Sequence, residues 1–205
     1  NNFDLFKYLF NLSKIDIWEK DKNGNSLMHL AFSSDNPNLE LIKYLNNLHK
    51  FDFSEKNKFG YNILHLACLA KDQSTTLVKY ILKNFIDSIN ILEKDFDGNN
   101  LLHLICSRDE PNIELFKYLI NRNEFKINEK DGNGNNLLHI ACSHINPNMD
   151  LIKYIIDLNE IDITEKNKNG ENILHIACYN SSIKLVEYLL YLDKFDISEK
   201  NNNGE

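Results

Sequence analysis

The chain has 205 residues, 42% of them apolar, and 30 acidic against 23 basic side chains give a formal net charge of -7. An acidic balance argues against a general nucleic-acid binder, which needs a basic face; it favours basic partners only weakly, because an acidic excess also serves solubility. The sequence has no apolar run long enough to span a membrane and no visible signal peptide.

In chain order, Leu5, Phe6, Tyr8, Leu9 and Phe10 predict a lone amphipathic helix. The segment from Asp16 to Asn25 has an extended start and a Gly/Asn turn, the pattern of a projecting hairpin-like loop. Leu27, Met28, Leu30 and Ala31 predict a short helix, and Leu39, Leu41, Ile42, Leu45 and Leu48 a second, each with apolar residues three and four apart. Asn36-Pro37, Glu110-Pro111 and Asn146-Pro147 precede the second helix in three units, where Pro is expected in the first helical turn and Asn at the cap.

This loop–helix–helix block then returns. A Glu-Lys pair, a Gly and a Leu-Leu-His-like stretch recur at Glu19–His29, Glu55–His65, Glu93–His103, Glu129–His139 and Glu165–His175, and a further copy starts at Glu199. Gly24, Gly60, Gly98, Gly134, Gly170 and Gly204 are separated by 36, 38, 36, 36 and 34 residues. Length changes fall between the elements, as they do in loops. Such a period marks one supersecondary unit stacked on copies of itself. The register divides the chain into 1–18 (second helix and linker of a partial repeat), 19–54, 55–92, 93–128, 129–164, 165–198 and 199–205 (the start of a sixth repeat), one continuous array. Both ends fall inside a repeat, from which we expect a segment of a longer protein.

The run from Asp131 to Cys142, Asp-Gly-Asn-Gly-Asn-Asn-Leu-Leu-His-Ile-Ala-Cys, resembles the ankyrin repeat position for position, and the resemblance covers nearly the whole chain. It implies an all-α, ankyrin-type solenoid of stacked helix-turn-helix units with projecting hairpin loops. The chain departs from the motif in three ways. Pairs such as Asn136-Leu137 replace Thr-Pro, no Gly ends the second helix, and the period is mostly 36 where about 33 is usual.

The recurring residues read as structural. A metal site on His29, His65, His103, His139 and His175 fails on geometry, because stacked helices hold equivalent residues about 8–10 Å apart while zinc ligands crowd within about 2 Å of the ion. The resemblance implies instead that each His ties adjacent units through the backbone near the hairpin. Gly24, Gly60, Gly98, Gly134 and Gly170 fit turns that need left-handed backbone. Cys68, Cys106, Cys142 and Cys178 share one register position, too far apart to pair, and read as small buried thiols in a cytoplasmic or other reducing intracellular compartment. The Glu-Lys columns read as a solvated charge ladder. Asp95–Asn99 and Asp131–Asn135 imitate a calcium loop, but positions six and twelve are wrong. No acid, base, nucleophile or cofactor loop stands apart from the repeat, so no enzyme, metal or cofactor is expected.

What varies inside the constant frame is the better functional signal. The resemblance implies that residues flanking the hairpin Gly, and those after the first helix, face a concave groove. There Phe59, Tyr61, Phe96 and Arg108 are expected as anchors, since aromatics and Arg dominate binding hot spots, with Leu69, His144 and Tyr179 as secondary contacts. The expected function is a scaffold that binds a protein or peptide. Two alternatives remain open: a regulatory or targeting arm of a larger enzyme or channel, and self-association, end to end or through Phe6, Leu9 and Phe10. Trp18, alone in its column, is assigned to neither face.

Overall fold

The computed structural model describes residues 2–11, 16–33, 39–48, 51–71 and 74–205; in the first segment the described side chains are those of Asp4, Lys7, Tyr8, Phe10 and Asn11. Asn36-Pro37 lies outside the described residues, as do the side chains of Phe6 and Leu9. Every regular element among the described residues is helical. They fall into two units, Asn1–Phe96 and Asp97–Glu205.

The first unit holds α1 (Asn2–Asn11), α2 (Leu27–Ser33), α3 (Leu39–Asn47), α4 (Ile63–Leu69), α5 (Ser74–Phe85) and a 3-10 turn at Ile86–Ser88. The short helices α2 and α4 lie against each other, and each packs on the longer helix that follows it. Met28, Phe32, Ile42, Leu45, Leu64, Cys68, Leu77 and Ile81 are buried between them. Burying each large apolar side chain contributes about 1.5–3 kcal/mol. Phe32 fills the register position that later repeats give to Cys.

The second unit holds α6 (Leu101–Cys106), α7 (Ile113–Ile120), α8 (Leu137–Cys142), α9 (Met149–Asp157), α10 (Ile173–Tyr179) and α11 (Ile183–Tyr191). The helices α6, α8 and α10 stack in a row, and α7, α9 and α11 pack each on its own partner. All six residues of α6 are buried. The second helices bury only a stripe, such as Leu151, Ile152 and Ile155 of α9, which is why their sequences alternate apolar residues with Lys and Asp.

The caps are built by asparagine. Asn62, Asn100, Asn136 and Asn172 start α4, α6, α8 and α10; each side-chain oxygen accepts from the backbone N–H groups two and three residues on. An Asn can therefore replace the Thr of the usual motif without loss of the cap. For α7 and α9 the caps are Asn112 and Asn148, each in extended backbone and accepting from Leu115 and Leu151 at 2.9 and 3.0 Å. This corrects the expected start: Pro111 and Pro147 precede the cap and lie outside the first turn. After the second helices, Asn123, Asn159 and Asp193 take the left-handed conformation, with φ of 55°, 54° and 52°. They stand where a Gly would be cheapest, and Asn and Asp tolerate that backbone best among the others.

Candidate partner-binding face

The projecting loops close on themselves and on each other. In the fourth repeat, Asp131 N–H donates to the Asn135 carbonyl at 2.9 Å and Gly134 N–H to the Asp131 carbonyl at 3.1 Å. The Asp131 carboxylate also accepts from the N–H groups of Asn133 and Asn135, both at 2.8 Å. Successive tips share one backbone hydrogen bond: Lys58 N–H to Asn23 and Phe96 N–H to Phe59 in the first unit; Gly132 N–H to Asp97, Lys168 N–H to Asn133 and Asn202 N–H to Asn169 in the second.

Behind the tips, His, Asn, Glu and Lys form a staple between repeats. His65 Nδ1 lies 2.7 Å from the Asn62 side-chain oxygen and 3.3 Å from the Asn62 backbone nitrogen, and Nε2 lies 3.1 Å from the Glu93 carbonyl oxygen. His139 and His175 reach Glu171 and Glu199 carbonyls at 3.0 and 3.1 Å. His29 reaches Glu55 and Tyr61, each at 3.1 Å, with Ser26 in place of the Asn. Each of these rings is spent on its own neighbour. Burial holds His29, His65 and His139 below the ordinary imidazole range, against the pull of nearby carbonyls and carboxylates.

The Glu-Lys columns belong to the same staple, which corrects the solvated-ladder reading. Glu165 accepts from Lys130 at 2.8 Å on one oxygen and from the Asn136 amide at 3.0 Å on the other. Glu93 sits likewise between Lys56 at 2.8 Å and Asn62 at 3.2 Å, and Glu199 between Lys166 and Asn172, each at 3.0 Å. Burial opposes the charge on Glu165, but Lys130 and Asn136 outweigh it and keep the carboxyl below its usual range.

The predicted contact residues separate into two groups. In the first unit Phe59 and Phe96 stand at the tips, 52% and 69% exposed. Tyr61 is half-buried, stacked on the His65 ring at 6.0 Å with Phe59 6.1 Å away. Leu69 is half-buried in the last turn of α4. In the second unit Arg108 is half-buried just beyond α6, and Tyr179, at the end of α10, is 85% exposed. His144 is not a free groove residue. Its Nε2–H donates to the Cys106 carbonyl at 2.9 Å, and Nδ1 lies 3.1 Å from Asp109. Asn180, in the same column, donates to the Ser143 carbonyl at 2.9 Å. Both side chains cap the preceding first helix, because that column lies beside the carbonyl end of its neighbour.

Sequence reasoning missed the floor of this face. The residue after each repeat His is always Leu or Ile, so its recurrence marked it as core. Leu66 and Leu104 are indeed buried, but Leu30 is exposed, and Ile140 and Ile176 are half-exposed and line a cavity of about 380 Å³ between the fourth and fifth tips. A hollow of about 480 Å³ lies between α10, α11 and the last turn, lined by Leu174, Cys178, Val186, Leu190 and Ile197. Cys178, expected to be buried, is exposed, because it lies on the last complete first helix; Cys68, Cys106 and Cys142 are buried, unpaired with one another, and pushed well above the usual thiol range by that burial. No helix of the described residues is long and apolar enough to cross a membrane.

Stacked helix pairs, a ladder of turn tips and a capping His in each unit define a repeat module whose recurrent polar groups are occupied in joining repeats. A family model described as ankyrin repeats (3 copies) matches residues 1–95, 70–163 and 102–201. The chain belongs to the ankyrin-repeat family, whose members generally mediate protein–protein interaction and are typically not catalytic. Among solved structures it is similar to a chain in the complex of the Bd0816 predatory endopeptidase from Bdellovibrio bacteriovorus with the immunity protein Bd3460. That match has a TM-score of 0.68 and 21% identity, over 90% of each chain. No curated protein gives a significant match.

Proposed function

We propose that the chain is a non-catalytic scaffold that binds a protein or peptide through the face made by its hairpin tips and first helices. The observation that carries this reading is the pair Phe59 and Phe96, two large apolar rings held largely in solvent at turn tips, where the other tips carry Asn, Gly or Lys. Exposed aromatics on a rigid backbone make inexpensive anchors, since little side-chain freedom is lost on binding. Tyr61, 6.1 Å from Phe59, is a further anchor, with Leu69 a secondary contact. The similar complex pairs an immunity protein with an endopeptidase, which is consistent with an interaction role and goes no further. The buried thiols suit a reducing compartment.

The test is a pull-down with the intact chain, repeated with Phe59→Ala and Phe96→Ala together. Captured partners should be lost or weakened more than about tenfold, the effect of one hot-spot residue, with the chain still folded. Capture at unchanged affinity would remove the aromatic tips from the site.

A further inference from the structure

We propose that the cavity between the fourth and fifth tips is a pocket for an arginine side chain of the bound partner. This rests on the reading of the tip-and-helix face as the binding face and adds a chemical specificity to it. Of the residues lining the cavity, Ile140 and Ile176 are apolar, Tyr179 is the aromatic one and Glu171 carries the negative charge; no Lys or Arg lines it. Ile140 and Ile176 give an aliphatic stem something to lie on. Tyr179 keeps its ring largely in solvent, available to stack on a planar cation.

Glu171 is pre-positioned. Its Oε2 accepts from the side-chain amides of Asn167 at 3.0 Å and Asn169 at 3.3 Å. Its Oε1 has no partner among the described residues. The same position in the fourth repeat is Asn135, whose amide is committed to Asp131 at 3.0 Å and whose oxygen accepts from Asn167 at 2.9 Å. The fifth repeat, with Asn167 where the fourth has Asp131, thus moves the carboxylate of that pair to Glu171 at the cavity wall, with one oxygen lacking a partner among the described residues. Arginine matches all three elements, with a stem for the isoleucines, a plane for Tyr179 and donors for Glu171.

The probe is acetyl-Ala-Arg-Ala-amide, titrated into the full chain while the methyl resonances of Ile140 and Ile176 are followed, with lysine, citrulline and glutamate counterparts as controls. Saturable millimolar shifts are expected from the arginine peptide. Glu171→Gln and Tyr179→Ala should each weaken them roughly three- to tenfold, the size of one exposed ion pair or cation–π contact. Both variants change exposed or half-exposed groups, and amide exchange in α8 and α10 verifies that the fold is kept. The proposal is overturned if the citrulline or glutamate peptide shifts the same methyls equally, if lysine binds as tightly as arginine, if neither variant weakens binding, or if no saturable shift occurs. Failure here leaves the Phe59–Phe96 test untouched, and failure of that test leaves this one intact.

Discussion

The ring of Phe96 lies across the α-carbon of Gly60. A methyl group built on Gly60 would meet the Phe96 backbone nitrogen at 2.5 Å and Cδ1 of its ring at 2.8 Å, and the φ of Gly60 is +82°. Gly60 is thus required twice, by its backbone conformation and by the approach of the next tip. The stems of Lys58 and Lys168 pass over Gly24 and Gly134 in the same manner, with Cγ at 3.2 and 3.1 Å from the built atom, and their ammonium groups reach the carbonyls of Lys22 and Gly132.

Gly204 supplies the control, having φ of +81° and nothing within 4 Å of a built Cβ. Gly60→Ala is expected to destabilise the chain by more than about 2 kcal/mol, since left-handed strain of about 1–2 kcal/mol adds to a backbone collision. Gly204→Ala should cost no more than the left-handed strain alone, about 1–2 kcal/mol. Urea unfolding of the two variants measures the difference, and equal costs would show that only the φ matters.

The Asn136 side chain meets the N–H groups of Leu138 and His139, the Glu165 carboxylate and, at 2.7 Å, His139 Nδ1. Asn136→Ala should cost about 2 kcal/mol, the upper end for a lost cap. Asn136→Ser, which restores what Ser26 does in the first repeat, should recover about half by keeping the cap and losing the reach to Glu165. Full recovery by Ser in urea titrations would show that the Glu165 contact contributes nothing.

Acid should loosen the chain in two stages. His29, His65 and His139 are held below the ordinary imidazole range, so below about pH 6.5 the unfolded chain binds protons that the folded chain refuses. Stability is therefore expected to fall as pH drops from 7 toward 5. Glu165, whose folded carboxyl is depressed, contributes stability above its unfolded value, near pH 4.3, and loses it as pH falls further through the folded value. Urea midpoints across pH 7 to 3 check both stages; a midpoint that rises between pH 7 and 5 would contradict histidines held neutral by burial.

Ser181 adopts φ of 55° and Asp193 of 52°. Ser181→Gly and Asp193→Gly should each stabilise the chain by about 0.5–1 kcal/mol, because Gly takes that conformation without the Cβ penalty. This corresponds to a rise of roughly 2 °C in Tm for a chain of this length. A fall in Tm for Ser181→Gly would mean that the entropy of the unfolded chain outweighs the relieved strain.

Much of the joint between repeats was legible in the sequence. The period, the two helices and the His, Gly and Glu columns could all be read from it, because a contact made identically in each unit leaves a column of identical residues. The rule that varying positions recognise and recurring ones join broke at particular residues. Lys58, Lys168, His144 and Asn180 vary, yet each is bonded to the preceding repeat. Ile140 and Ile176 recur in kind, yet they line the cavity between the fourth and fifth tips. A column records a register position, and the partners that decide its role stand some 36 residues away along the chain, as Gly132 and Lys168 do.

The sequence by itself determined the unit, its helices and turns, and which residues repeat, since helical periodicity and the demand of a tight turn for Gly are local. Only the tertiary structure decided that Asn replaces Thr as a working cap, that the Glu-Lys columns are clamps, that His144 is occupied, and that Glu171 and Tyr179 line one cavity. Those outcomes depend on which group of the neighbouring repeat comes within about 3 Å, and no window of a single repeat contains that neighbour.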